Sequence, residues 1–269
     1  MLPAAKAAAN FEISIFKSSV AIPDIEEAAK ESNADLIFQL YVRGDDNWIN
    51  EHVDRVEAAG YVGFCLTVDS AYYGRRERDK AKAFSPVQRS HVSGVNYQAA
   101  LNWGVVERLR QKTKLPLILK GIATAEDAKI AVEHGVDVIY ISNHGGRQLD
   151  HGRGSIEVLP EVVDAVGGQA RVVVDGGFYH GADILKAIAL GADAVGLGRL
   201  YGFGLAAFGQ AGVVRVLEIL EEEMTSAMAL LGITDLEQLN PDYLHPAAPV
   251  RLTTPTSAFH LFDVDDGPY

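Results

Sequence analysis

The segment Ser142-Asn143-His144-Gly145-Gly146-Arg147-Gln148-Leu149-Asp150 sets an imidazole and a guanidinium three residues apart, directly after the apolar run 136–141. Such a run reads as a buried parallel strand, and the two glycines let the backbone turn sharply and come close to a ligand. Imidazole suits proton abstraction near neutral pH, and a planar guanidinium offers two parallel hydrogen bonds to a carboxylate. The chemistry this predicts is removal of a proton from a small carboxylate-bearing molecule. A Gly-rich turn carrying a solvated Arg and a structural His is the alternative reading of the same nine residues.

Short apolar runs alternate with amphipathic segments around this motif. Strands are predicted over 12–16, 36–42, 63–69, 115–120, 136–142, 171–175 and 194–198. Helices are predicted near 24–31, 47–59, 103–112, 125–134, 157–166, 182–190 and 212–231, after an Ala-rich opening helix over 3–9. This alternation predicts an α/β fold with a parallel sheet and helices outside it. Polar residues and glycines recur at the strand ends: Gln39 and Tyr41, Thr67 and Asp69, Lys120, Asn143 and His144, Asp175-Gly176-Gly177, Gly198-Arg199. Chemistry spread over so many strand ends predicts a TIM (β/α)8 barrel, whose filled interior leaves only the C-terminal rim for a site. A doubly wound sheet would gather its ligand at one switch point. Only seven βα units are evident, and the chain opens on a helix where a barrel of eight first supplies a strand. An amino-terminal part of a longer protein lies outside this sequence, another element fills the gap, or one strand has escaped the pattern.

The connection 72–98, between the third strand and its helix, is long for a βα loop and carries Arg75, Arg76 and Arg78. It reads either as a mobile, basic lid over an anionic substrate or as a solvated charge run. Residues 240–269 read as a C-terminal tail. With 269 residues, 48% of them hydrophobic, and no Pro/Gly/Ser linker, a single domain is expected. A formal net charge of −12 argues against nucleic acid or an anionic membrane surface as partner. The single cysteine, Cys65, falls inside a predicted strand, which excludes a disulfide framework and a cysteine-based metal site. The histidines are scattered, with no i, i+4 pair beside an acidic residue on a helix, so no metal is expected. No apolar run is read as long enough for a membrane span, and residues 1–6 lack the pattern of a secretory signal; a cytoplasmic protein is expected.

From about residue 4 to residue 231 the chain carries, in order, Gln39-Leu40-Tyr41, Thr67-Val68-Asp69, Gly74-Arg75-Arg76-Glu77, Lys120-Gly121, the segment 142–150, Asp175-Gly176-Gly177 and Gly198-Arg199. In these motifs it resembles the FMN-dependent α-hydroxy acid oxidases and dehydrogenases, which include glycolate oxidase and lactate oxidase. The resemblance implies FMN as cofactor and oxidation of a small L-2-hydroxy acid to the 2-oxo acid. It further implies oxygen, a quinone or a cytochrome as electron acceptor, and a homo-oligomer, a tetramer in the family. Carried over by position, His144 resembles the active-site base and Asp69 the carboxylate that hydrogen-bonds its imidazolium. Tyr41 resembles the tyrosine at the substrate oxygen, and Arg147 and Arg76 the clamps on the substrate carboxylate. Ser18, Gln39, Thr67 and Lys120 match flavin-ring contacts, and Ser142 joins the cofactor-binding set. Asp175, Gly176, Gly177, Gly198 and Arg199 match ribityl and phosphate contacts.

The physical demands agree with those roles. A base must be neutral at rest and stabilised once charged, which a neighbouring carboxylate does. Lys120 would supply positive charge where a reduced flavin becomes anionic, and glycine turns expose backbone N–H groups to a phosphate. Three departures stand out. Tyr179-His180 replaces an Arg usual four residues after the position of Asp175, which predicts a phosphate contact weakened or moved to His180. Leu200 stands where Pro is common. The family's amino-terminal helices and first strand have no counterpart in this sequence. A catalytically weak or inactive flavin-binding remnant is therefore the competing reading. An FMN-dependent isomerase or an IMP-dehydrogenase-like barrel is a third, the latter needing a nucleophilic loop Cys that Cys65 does not supply.

Overall fold

The computed structural model describes residues 1–72, 74, 77, 81–83 and 96–247. Seven parallel strands, β1 (Ile15–Ser18), β2 (Leu36–Leu40), β3 (Gly63–Thr67), β4 (Leu117–Ile122), β5 (Val138–Ile141), β6 (Arg171–Asp175) and β7 (Ala194–Gly196), lie side by side in chain order. Helix α1 (Leu2–Asn10) precedes them. Helices α2 (Ile25–Glu31), α3 (Asp46–Ala58), α4 (Trp103–Lys112), α5 (Ala125–Glu133), α6 (Ser155–Val166) and α7 (Gly181–Ala189) follow successive strands, and α8 (Arg199–Leu231) follows β7. This is the seven-unit TIM-barrel arrangement expected from the alternation, a curled sheet with β1 and β7 at its two edges among the described residues.

Period-2 alternation sorts each strand onto two faces. One face packs Cys65, Ile118 and Tyr140 with Phe16, Ile37, Val138 and Val173, which forms the inner filling of the curled sheet. The other, with Phe38, Leu40, Phe64, Leu66, Leu119, Ile139, Ile141 and Val174, meets the buried stripes of the helices in the main core. Register carries the inner set upward: Ser18 pairs with Gln39, Thr67 with Lys120, Lys120 with Tyr140, and Asp175 with Gly196. Polar side chains therefore stand on the inner face only near the C-terminal ends, above the apolar filling.

Helix starts follow local capping chemistry. The Asp24 carboxylate accepts from Ile25 N, Asp45 from Trp48 N and Thr124 Oγ1 from Asp127 N, at 2.8, 3.0 and 3.2 Å. At the carboxyl end the sequence pattern places a helix over 212–231; α8 instead begins at Arg199, with non-helical backbone at Phe208 and Gly209 inside it. By joining 199–211 to that helix, the structure yields a segment long and apolar enough, by length and composition, to cross a membrane. This corrects the expectation that no apolar run reaches that length. In the structure α8 packs against α1 and α7.

Candidate active site

The C-terminal ends of β2, β4, β5, β6 and β7 enclose a cleft of about 310 Å³ lined by Gln39, Tyr41, Lys120, His144, Arg147, Asp175, Gly176, Gly177, Gly198 and Arg199. His144 follows β5 in a turn where His144, Gly145 and Gly146 all have positive φ, at 58°, 66° and 71°. Left-handed backbone costs a side-chain-bearing residue roughly 1–2 kcal/mol, so the two glycines leave His144 alone to bear it. Ser142 Oγ steadies the turn by accepting from His144 N at 3.1 Å.

Asp69, two residues past β3, reaches across to His144: its Oδ1 lies 3.0 Å from Nδ1. Both side chains are mostly shielded, with 11% and 21% of their surface exposed. The Tyr41 ring centroid lies 6.2 Å from that of His144. A carboxylate facing Nδ1 favours the tautomer with the proton on that nitrogen, which leaves the Nε2 lone pair to accept one. The pair can take one proton and stabilise the resulting charge.

Lys120 organises the floor of the cleft. Its Nζ donates to Ser142 Oγ at 2.7 Å, lies 3.2 Å from Asp175 Oδ2, and stands 5.0 Å from the centroid of the Tyr140 ring. Burial and the neighbouring Asp175 carboxylate push the Tyr140 hydroxyl well above the ordinary range for a phenol, so Tyr140 stays neutral. Its size is matched by a glycine: a Cβ on Gly196 would fall 1.9 Å from the Tyr140 hydroxyl.

At the far end, Gly176 and Gly177 adopt φ of 97° and 87°. A Cβ added at Gly177 or Gly198 would meet no heavy atom within 4 Å, so open space adjoins both turns. Arg199 Nη2 donates to Gly145 O at 3.1 Å, linking the end of β7 to the histidine turn.

Ten residues singled out in the sequence thus line one cleft. Asp69 and Ser142 sit directly behind the lining. Ser18 and Thr67 are not on it: Ser18 Oγ accepts from Val20 N, and Thr67 is fully buried. Arg76, Arg75, Arg78 and most of 72–98 lie outside the described residues, as does 248–269. The end of that long connection is part of the barrel: Gln98 is buried, accepts from Val42 N at 2.7 Å and donates to Thr67 O at 2.5 Å. The phosphate contact foreseen for His180 meets a competing bond, because His180 Nδ1 lies 3.1 Å from Glu223 Oε1 of α8 while Tyr179 lines the cleft. Sequence reading missed Tyr140, Phe178, Gly196, Leu200 and Tyr201 as lining or supporting residues. For Tyr140 a signal existed: it stands two residues before Ser142, hence on the same strand face.

Residues 1–246 match the family model of the FMN-dependent dehydrogenases. The chain is 40% identical to an L-lactate oxidase of Nostoc sp., over 91% of this chain and 74% of that one. It is 41% identical to a peroxisomal (S)-2-hydroxyacid oxidase of Arabidopsis thaliana, over 89% and 71%. A crystal structure of mandelate oxidase with 3,3-difluoro-2-hydroxy-3-phenylpropionic acid superposes with a TM-score of 0.81 at 42% identity, covering 88% of this chain and 70% of that one.

The residues present fit FMN. Two buried oxygens near the strand ends, Thr67 Oγ1 and Asp175 Oδ1, have no hydrogen-bond partner among the described residues. The open glycine turns at 177 and 198 both line the cleft, and Gly198 is the N-cap of α8, where backbone N–H groups favour an anion. Lys120 is a cation on the floor between these features.

Proposed function

The chain belongs to the FMN-dependent dehydrogenase family, and from that premise we propose that it oxidises a small L-2-hydroxy acid to the 2-oxo acid. One observation carries the reading: an imidazole paired through Nδ1 to a largely shielded carboxylate 3.0 Å away, on the lip of a cleft that also holds Arg147 and Lys120.

In this reading His144 Nε2 takes the proton of the substrate hydroxyl, and Asp69 stabilises the imidazolium. Arg147, exposed on the same loop, grips the substrate carboxylate with two parallel hydrogen bonds. Tyr41 lies beside the imidazole and directs the substrate oxygen toward it. FMN, when bound, would supply the two-electron acceptor: as the carbonyl forms, the Cα–H bond breaks and its hydrogen leaves with the electron pair to the flavin. Gln39, Lys120 and Ser142 would hold its ring; Asp175, Gly176, Gly177, Gly198 and Arg199 would hold its ribityl chain and phosphate, with Tyr179 at the position of the absent Arg. Ser18 and Thr67, off the lining, would support the ring from behind it. The same reading takes the chain as one domain, supported by one apolar cluster whose members extend from Ala5 to Ala192.

The test is an anaerobic titration of FMN-loaded protein with a panel of L- and D-2-hydroxy acids, followed by flavin absorbance. Bleaching by at least one L-acid and by none of the D-acids is expected. Protein that retains FMN and is bleached by no member would instead establish the inactive flavin-binding remnant.

A further inference from the structure

We propose that Gln148 is a positioning residue for the His144–Asp69 pair, a role that rests on the reading of His144 as base. Its amide is fully used on the opposite loop. Nε2 donates to Asp69 O at 2.7 Å and to Tyr72 O at 3.0 Å, and Oε1 accepts from Gly74 N at 3.2 Å. Two donors and one acceptor on one neutral head group is a combination that Glu and Lys both lack, since ionised Glu has no donor and Lys no acceptor.

The consequence for Asp69 is a double attachment to one loop. Its carboxylate meets His144, and its carbonyl meets Gln148 four residues further on. The attachment fixes both the distance and the direction from which the carboxylate approaches the imidazole. The contact is close because Gly74 allows it: a Cβ there would fall 2.3 Å from Gln148 O and 2.4 Å from Arg147 O. Gln148 therefore joins the loop after β3 to the loop after β5, which carries both the base and Arg147. Loss of the clamp misplaces Asp69 while the imidazole and the guanidinium are still present. A misplacement of about 1 Å in a catalytic group can lower a rate by about a hundred-fold.

The experiment uses the full chain loaded with FMN, as Gln148→Leu, as Gly74→Ala, and as His144→Ala for reference. Anaerobic stopped-flow with an L-2-hydroxy acid that reduces the parent protein separates the limiting reduction rate from the apparent Kd. Proton NMR follows the downfield Nδ1–H signal, assigned by its loss in His144→Ala. Gln148→Leu is expected to lower the reduction rate by about ten- to a hundred-fold, to leave the apparent Kd within about twofold, and to shift or broaden the Nδ1–H signal. Gly74→Ala, which pries the same loops apart while keeping the amide, is expected to act in the same direction. A lowered Tm with unchanged rate and signal in both variants would make Gln148 merely structural and overturn the proposal. Should neither variant fold, amide exchange in the parent protein decides: a protected Gly74 N–H supports the clamp, and one that exchanges freely refutes it. Undiminished reduction in His144→Ala would sink the reading of the base, while the NMR signal still reports on the clamp.

Discussion

Gly121 stands against Asp69: a Cβ on Gly121 would lie 2.6 Å from Asp69 Cβ and 2.8 Å from its backbone N, at a φ of 110°. The glycine after Lys120 is thus required by Asp69, just past the neighbouring strand, the residue proposed to orient the base. Gly121→Ala is expected to destabilise the fold by about 1–3 kcal/mol through strain. It should also slow flavin reduction while FMN stays bound. Urea unfolding and anaerobic stopped-flow check the two effects; a variant with parental reduction would show that Asp69 tolerates displacement.

Arg147→Lys tests the carboxylate clamp. A point charge cannot reproduce two parallel hydrogen bonds from a rigid fork. KM for the hydroxy acid should rise strongly and FMN content should stay constant. Loss of FMN with KM unmoved would assign Arg147 to the cofactor.

Asp175→Asn removes the negative charge 3.2 Å from Lys120, leaving net positive charge on the floor of the cleft. A flavin gains negative charge on reduction, so its midpoint potential is expected to rise, on the order of 30 mV for ~1.4 kcal/mol in a two-electron couple. Lys120→Met should move it the other way. Spectroelectrochemical titration reads both, and a fall in Asp175→Asn would contradict the assignment of Lys120 to the flavin ring.

Alkaline stability follows from groups buried in neutral form. Burial pushes the Cys65 thiol up to about 12 from 9.0, and the Tyr61 hydroxyl to about 12 from 10.0. Between each ordinary and raised value the folded state holds a proton that the unfolded chain has lost, so stability falls as pH rises through that window. The unfolding free energy from urea titrations should therefore decline from about pH 9 upward at up to about 1.4 kcal/mol per pH unit per group. Cys65→Ala should flatten the first part of the decline; an unchanged slope in that variant would refute the assignment.

Much of this site was legible because strands impose a period of two. Gln39, Lys120 and Asp175 each stand on the inner face near the end of an apolar run, and the glycines directly after Lys120 and Asp175 adopt the positive φ that favours glycine. The relationships that escaped are complementary in three dimensions and silent in one. Tyr140 fits only because residue 196 lacks a side chain, 56 positions away, and His180 turns to Glu223 only because α8 packs on α7. Gln148 lay within the most informative motif, yet its partners, Asp69 to Gly74, belong to another loop. The start of α8 was misjudged because residues 199–211 are rich in glycine, which weakens a helical pattern that tertiary packing then restores.

The most direct measurement is anaerobic stopped-flow of FMN-loaded His144→Ala against the parent protein with an L-2-hydroxy acid that bleaches the parent. General-base removal lowers a rate by about two to four orders of magnitude. A loss of that size with flavin content unchanged is expected, since the proposed function has His144 meet the substrate and assigns the cofactor to Lys120 and the glycine turns. Near-parental reduction in His144→Ala would contradict it.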